Sequence, residues 1–360
     1  MRNPLHSTRA LLAAFAALGA FVSFSTAQTV ATQPVGAVSL ALKRNSDSII
    51  AVPLQPAADF KGSVNSISNV GGNWVLNIVG TPNWNVNQYQ GFYYVRVTSG
   101  AKVGMFYGVS ANTGSSLTLN SSGDDLSSVI NGDKVSIYRY WTLGTLFPHN
   151  DASRNPLTVS ASTLVNARRS QIIIPDNTFQ GINLPAQGTY YFTSTGWKRA
   201  VAGNPDANDT LLLPDEFFIV RQPATVTSDT TLTFLGSVNM DAFAITLGTR
   251  SGGTRDNAVA LMRPADVSLA DSGLQSGFTS SASTLVNARR DQLLVFDNSI
   301  EGLNKSAVRT YYRVGSNWIR ATAGNPIANS DILTLGSGFI VRKYQDSNSL
   351  TSVAINNPNY

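Results

Sequence analysis

The chain has 360 residues and 42% hydrophobic content, enough for two or three domains with real cores, and only 13% charged residues, about half the usual globular share, which excludes a disordered protein. The formal charge of +5 is spread along the chain and excludes the dense cationic stripe that tracks a nucleic-acid backbone. Without cysteine there are no disulfides, thiolate nucleophiles or thiolate metal sites, and with only Glu216 and Glu301 as glutamates the Glu/Lys pairs of solvated helices are nearly absent.

Residues 1–27 read as a secretory signal: Arg2 and Arg9 form the charged start, residues 10–24 the apolar stretch, and residues 25–27 a cleavage site, with processing expected between Ala27 and Gln28. Loss of Arg2 and Arg9 lowers the net charge from +5 to +3. No later segment reaches 18 uninterrupted apolar residues, so no transmembrane helix is expected. The implied location is outside the cytoplasm: extracellular, on the cell surface or periplasmic.

An N-terminal strand segment, residues 28–56, contains Ser48-Ile49-Ile50-Ala51-Val52-Pro53. Residues 57–140 carry strand signals at 74–79, 92–98, 105–109, 117–119 and 134–138, with turn residues about every ten positions, the spacing of a small barrel or sandwich. Residues 141–159 read as a linker. Two duplicated β-modules follow at 160–240 and 281–360, joined by a polar linker segment at 241–280. The expected class is all-β.

The duplication is a gapless match of residues 160–221 with 281–342, identical at roughly half of the positions. Both copies open Ser-Ala-Ser-Thr-Leu-Val-Asn-Ala-Arg-Arg, at 160–169 and 281–290. An apolar run bounded by Asp-Asn comes next, a buried strand by its length and flanks. Thr-Tyr-Tyr and Trp-x-Arg-Ala then predict a hairpin, Ala-Gly-Asn-Pro a turn, and Phe-Ile-Val-Arg a closing strand. Further strands are expected at 231–235 and 350–354. Ser48 to Pro53 resembles the repeated Ile-rich strand, and Thr142-Leu143-Gly144-Thr145 recurs at 246–249, which raises a third, divergent copy split by the barrel.

Residues 49–54, 94–104 and 140–148 carry a resemblance, extending over the mature chain, to an uncharacterised family of secreted proteins that occurs as many paralogues in verrucomicrobial bacteria. It implies an exported protein of a Gram-negative bacterium and no catalytic role.

Chemical signatures are sparse. His149 is the single histidine after the signal segment, too few for a histidine-ligated metal, and no Gly-x-Ser-x-Gly elbow accompanies it. Ser99-Gly100-Ala101-Lys102 lies between two strand signals and reads as a turn, and the glycine-rich stretch 248–253 reads as a flexible linker between the copies. Glu301 aligns with Gln180 and Glu216 with Ser337, so neither glutamate recurs as a paired catalytic carboxylate would. Residues 206–209 and 122–125 gather oxygen ligands, which keeps Ca2+ open, although Asx turns explain the same residues.

The repeated aromatic and basic residues are the candidate contacts for a glycan or partner: Trp197, Trp318, Tyr191, Tyr312, Arg168, Arg169, Arg289 and Arg290. Cross-strand packing accounts for the aromatic set without a ligand, and protection of strand edges accounts for the arginines. The expectation is a non-enzymatic structural or adhesive protein of the cell surface or matrix, self-assembling into a filament or layer by edge pairing. Polysaccharide binding and a secreted hydrolase are the alternatives. No cofactor is expected, and the partner is the chain itself or a surface polysaccharide.

Overall fold

Strands dominate, as the scarcity of helix-supporting charge requires. The computed structural model describes residues 33–344 and 351–358, so the expected signal segment and its Ala27/Gln28 cleavage site lie outside the described residues. Two strands, β1 (Val35–Leu42) and β2 (Ser46–Ile50), precede a closed barrel. The barrel strands are β3 (Ala58–Val70), β4 (Asn73–Ile78), β5 (Tyr93–Val97), β6 (Phe106–Asn112), β7 (Ser116–Asn120) and β8 (Lys134–Arg139), closed in the order β3-β4-β7-β6-β5-β8.

Five of these strands match the pattern of alternating apolar residues. The sixth, β3, was hidden by its Ser, Asn and Gly content. Bulges at Ala58/Phe60 and Val64/Ser66 bend it so that its first half pairs with β8 and its second with β4. Val64, Ile78, Val95, Leu117 and Ile137 fill the interior, on the inward positions of a period-two pattern.

The rest of copy 1 comprises β9 (Trp141–Thr142), helix α1 (Leu143–Leu146), β10 (Gln171–Pro175), β11 (Ala186–Thr193), β12 (Gly196–Arg199), β13 (Leu211–Leu212), β14 (Phe218–Gln222) and β15 (Thr230–Ser237). Copy 2 comprises β16 (Phe243–Gly248), β17 (Arg255–Ala260), β18 (Val267–Ser268), β19 (Gln292–Val295), β20 (Arg309–Val314), β21 (Asn317–Arg320), β22 (Ile332–Leu333), β23 (Gly338–Lys343) and β24 (Thr351–Asn356). Their main sheets run β12-β11-β10-β14-β2 and β21-β20-β19-β23-β17. The side ladder β1-β15 matches β16-β24, and β9-β13 matches β18-β22.

Each copy is therefore larger than the sequence match. Residues 241–280 are no linker, since β16, β17 and β18 are integral to copy 2, and residues 248–253 belong to the end of β16 and the turn into β17. Residues 141–159 contribute Leu143, Phe147 and Leu157 to a core. The N-terminal segment supplies β1 and β2 to copy 1. Among the described residues there is no third copy: the barrel interrupts the first one between β2 and β9. The two faint sequence echoes do not mark equivalent strands, because β2 corresponds to β17 rather than β10, and β9 to β18 rather than β16.

In each copy the core lies between the main sheet and its side ladder. Leu42, Ile50, Phe147, Ile172, Trp197, Val220 and Phe234 pack in the first, and Phe243, Leu247, Val259, Leu293, Trp318 and Val341 in the second. Burial at this level contributes about 1.5–3 kcal/mol per large apolar side chain. Arg96, fully buried, fixes the barrel to the segment before it and to the junction between the copies. Its guanidinium donates to Gln55 Oε1 (3.1 Å), Tyr138 Oη (2.7 Å) and Asp241 Oδ2 (3.1 Å), and lies over the Tyr138 ring.

The two copies face each other with reciprocal contacts, the signature of a twofold relation. Along β2, the amides of Asp47 and Ala51 donate to Gly302 O and Gly336 O, while Ile49 exchanges two hydrogen bonds with the Asn298 side chain. Along β17, Asp256 and Ala260 donate to Gly181 O and Asp215 O, while Ala258 exchanges two with Asn177. Each copy thus covers the free edge of the other. The opposite edges, β12 and β21, are covered by the turns after them, where Arg199 and Arg320 donate to Pro205 O and Pro326 O.

Equivalent residues meet near the pseudo-twofold axis, so two large ones cannot both fit there. Phe217 occupies this space and its counterpart is Gly338, where an added Cβ would stand 2.3 Å from the Phe217 Cβ. Ile49, Phe217, Ala258 and Ile340 form the buried cluster that joins the copies.

Candidate functional site

The candidate contacts chosen from sequence fall into two groups. Trp197 and Trp318 are 0% and 1% exposed, packed against Phe192 and Phe278, and the Trp197 indole donates to Phe147 O at 2.8 Å. Tyr191 and Tyr312 are also buried. None of the four offers a ring face to a sugar. The packing explanation is the one their positions match.

Arg168 and Arg289 lie over the rings of Tyr191 and Tyr312, at 4.6 and 4.7 Å. Each also donates to an asparagine, Asn204 or Asn325, whose side chain accepts the tyrosine hydroxyl as well. Both asparagines sit at positive φ, 43° and 44°, in the repeated turn. This Arg-Tyr-Asn unit ties the opening segment to the hairpin of its own copy. Arg169 donates to Asn166 O and Arg168 O, and Arg290 lies over Tyr344.

Between these anchors the segments 160–169 and 281–290 make the same turn. Ser160 and Ser281 accept the amides of Arg169 and Arg290, and the single helical turns Val165–Ala167 and Val286–Ala288 follow Leu164 and Leu285 with matching dihedrals. At the tips, Leu164 and Val165 are 66% and 76% exposed, and Leu285 and Val286 are 66% and 75%. No packing need explains these four apolar side chains. The strand that follows has diverged in the meantime, Gln-Ile-Ile-Ile-Pro against Gln-Leu-Leu-Val-Phe.

A groove of about 730 Å3 opens between the copies on the pseudo-twofold. Ile173, Ile219, Leu294 and Ile340, with Phe217 and Phe296, are among its apolar lining residues, and a bidentate ion pair from each copy flanks them. Arg221 Nε and Nη2 each donate to the Asp47 carboxylate at 2.8 Å, and Arg342 does the same to Asp256 at 2.7 and 3.0 Å. The opposite copy completes each pair: the Asn304 amide donates to Asp47 and the Asn183 amide to Asp256. These carboxylates hold both guanidinium groups more firmly protonated than usual.

A smaller cavity of about 350 Å3 is lined by Glu216, Arg199, Thr178 and Tyr190. Burial pushes Glu216 up to about 7 and Asp215 up to about 8. Neither forms an ion pair among the described residues. Asp215 is not part of the cavity lining, so the cavity receives one carboxyl where a glycosidase needs two across a common space.

The remaining chemical candidates sit apart. His149 is exposed in a turn, and Lys102 is paired with Asp124 at 2.7 Å. Asp206 pairs with Lys198, and Asp125 accepts the Ser127 amide, so carboxylates of the two oxygen-rich loops already have protein donors. Among the described residues no three His, Cys, Asp or Glu side chains gather as a metal would require. No described helix is long and apolar enough to cross a membrane. Sequence reasoning missed the groove, whose traces are the repeated Gly181/Gly302, Asn183/Asn304 and Asn177/Asn298 of loops that turn out to face the other copy.

No protein-family model, curated protein or solved structure matches this chain.

Proposed function

We propose that the chain is an exported, non-enzymatic adhesive protein of the cell surface or extracellular matrix, attaching through two equivalent tips at 160–169 and 281–290. The observation that carries this reading is the identity of the tips at all ten positions while the strand beneath them has changed. Exposed loops drift faster than the scaffold that supports them, so an unchanged loop with apolar residues in water points to contact with a partner. Two such tips in one chain bind bivalently. The signal-like N-terminus supports export.

Filament or layer formation through sheet edges draws no support from the main sheets, whose edges are covered within the chain. Polysaccharide stacking on Trp197 and Trp318 draws none either, because both rings are buried.

The test is cosedimentation of the purified mature protein with washed cell envelopes. Leu164→Ser with Val165→Ser removes one tip and should weaken apparent affinity by about 10²-fold or more. Adding Leu285→Ser and Val286→Ser should abolish binding with the melting temperature unchanged. Undiminished binding of the four-site variant would sink the proposal.

A further inference from the structure

Most of the lining of the intercopy groove is symmetric, and among the pairs that differ only one changes charge. Arg221 and Arg342, Asp47 and Asp256, Asn183 and Asn304, Ile173 and Leu294, and Ile219 and Ile340 are equivalent pairs of like chemistry. At one pair, however, copy 1 has Leu184 where copy 2 has Lys305. Of the three cations in the lining, the two arginines are neutralised by Asp47 and Asp256. Lys305 forms no ion pair among the described residues; its ammonium donates to Asp297 O at 3.0 Å, leaving two further N–H donors. Its partial burial disfavours the charged form, an effect that the nearby Asp297 and Asp47 carboxylates offset only in part, so an incoming anion would relieve the remaining cost.

We propose that this groove binds a single-chain amphiphile with a carboxylate head, the head on Lys305 and the alkyl chain over Ile173, Ile219, Leu294 and Ile340. The volume of about 730 Å3 falls within the range of small-molecule sites, and an apolar surface beside one charge that lacks a counter-ion is their usual chemistry. A neutral or cationic head gains nothing from the lysine, and a polar ligand without a chain leaves the aliphatic lining in water. The site is independent of the tips.

Titration calorimetry with dodecanoate below its micelle threshold tests the assignment, with dodecanol and dodecyltrimethylammonium as controls. Saturable binding of one dodecanoate is expected, weaker binding of the alcohol and none of the cation. Lys305→Leu places in copy 2 the residue that copy 1 already carries, so the fold should tolerate it. It should weaken dodecanoate at least about tenfold and leave dodecanol unchanged. Ala186→Trp, from an exposed position in the groove wall, should weaken both while circular dichroism confirms the fold. No saturable binding, equal affinity for the cation, or native affinity for dodecanoate in either variant overturns the proposal.

Discussion

The two copies solve one buried position in opposite ways. In copy 1, Ser170 Oγ donates to Gln222 Oε1 at 2.7 Å and accepts the Thr158 amide. At the equivalent place in copy 2, Asp291 and Lys343 form a buried ion pair, and Asp291 also accepts the amides of Thr279 and Tyr344. The lesson is that the backbone demands an acceptor at this point and the remaining charge is a matter of matched partners. A neutral pair and an ionic pair are interchangeable only as pairs.

The largest effect should come from breaking that matching. Asp291→Ser leaves Lys343 buried without its counter-charge and should cost about 3–5 kcal/mol in denaturant unfolding, whereas Asp291→Ser with Lys343→Gln recreates the copy 1 pair and should come within about 1 kcal/mol of native stability. A double variant as unstable as the single one would show that the copies differ in more than these two side chains.

Next in size is the axis. Gly338→Leu forces Phe217 aside and should cost about 1–3 kcal/mol, with Phe217→Ala in the same chain recovering much of it. If Gly338→Leu melts like the native protein, the copies are not held together at this point.

A comparable effect separates the copies through pH, because Asp215 and Glu216 have Gly336 and Ser337 as counterparts. Their carboxyl groups hold protons more tightly in the fold than in the unfolded chain, so their contribution is complete below about pH 4 and is lost as pH rises through about 7 to 8. Glu216→Gln should flatten the fall in melting temperature between pH 5 and 8, a difference of about 3 kcal/mol at most. An unaltered slope would mean that Glu216 is not the group responsible.

The smallest effect concerns what the copies share. Arg168→Ala and Arg289→Ala should each cost about 1 kcal/mol through the lost stacking and hydrogen bond, and by similar amounts. A large inequality in their melting temperatures would show that the two Arg-Tyr-Asn units are not equivalent.

Much of this architecture was legible from the chain. The repeated Ile-rich strand, the Tyr-Tyr and Trp hairpin and the Asn turn were read correctly because short apolar runs and turn residues act locally. The strands expected at 231–235 and 350–354 are also present, as β15 and β24, but the place of β2 in copy 1 and its equivalence to β17 were not legible, because β2 and β17 are buried on both faces and share little beyond Asp47 and Asp256. Their partners are also distant in sequence, with 80 or more residues of barrel between β2 and the remainder of its copy. The site was less legible still. Leu164, Val165 and their counterparts look like ordinary apolar residues until their exposure is known, and Lys305 signals nothing until Leu184 is seen across the groove.

Phe217 and Gly338 also dictate which halves can recognise each other. A first half set against another first half would bring two phenylalanines into one space, and two second halves would leave that space empty. Exchange of halves between molecules can therefore pair only a first with a second. Reciprocal exchange between two molecules then closes a dimer in which each first half sits on the other molecule's second half.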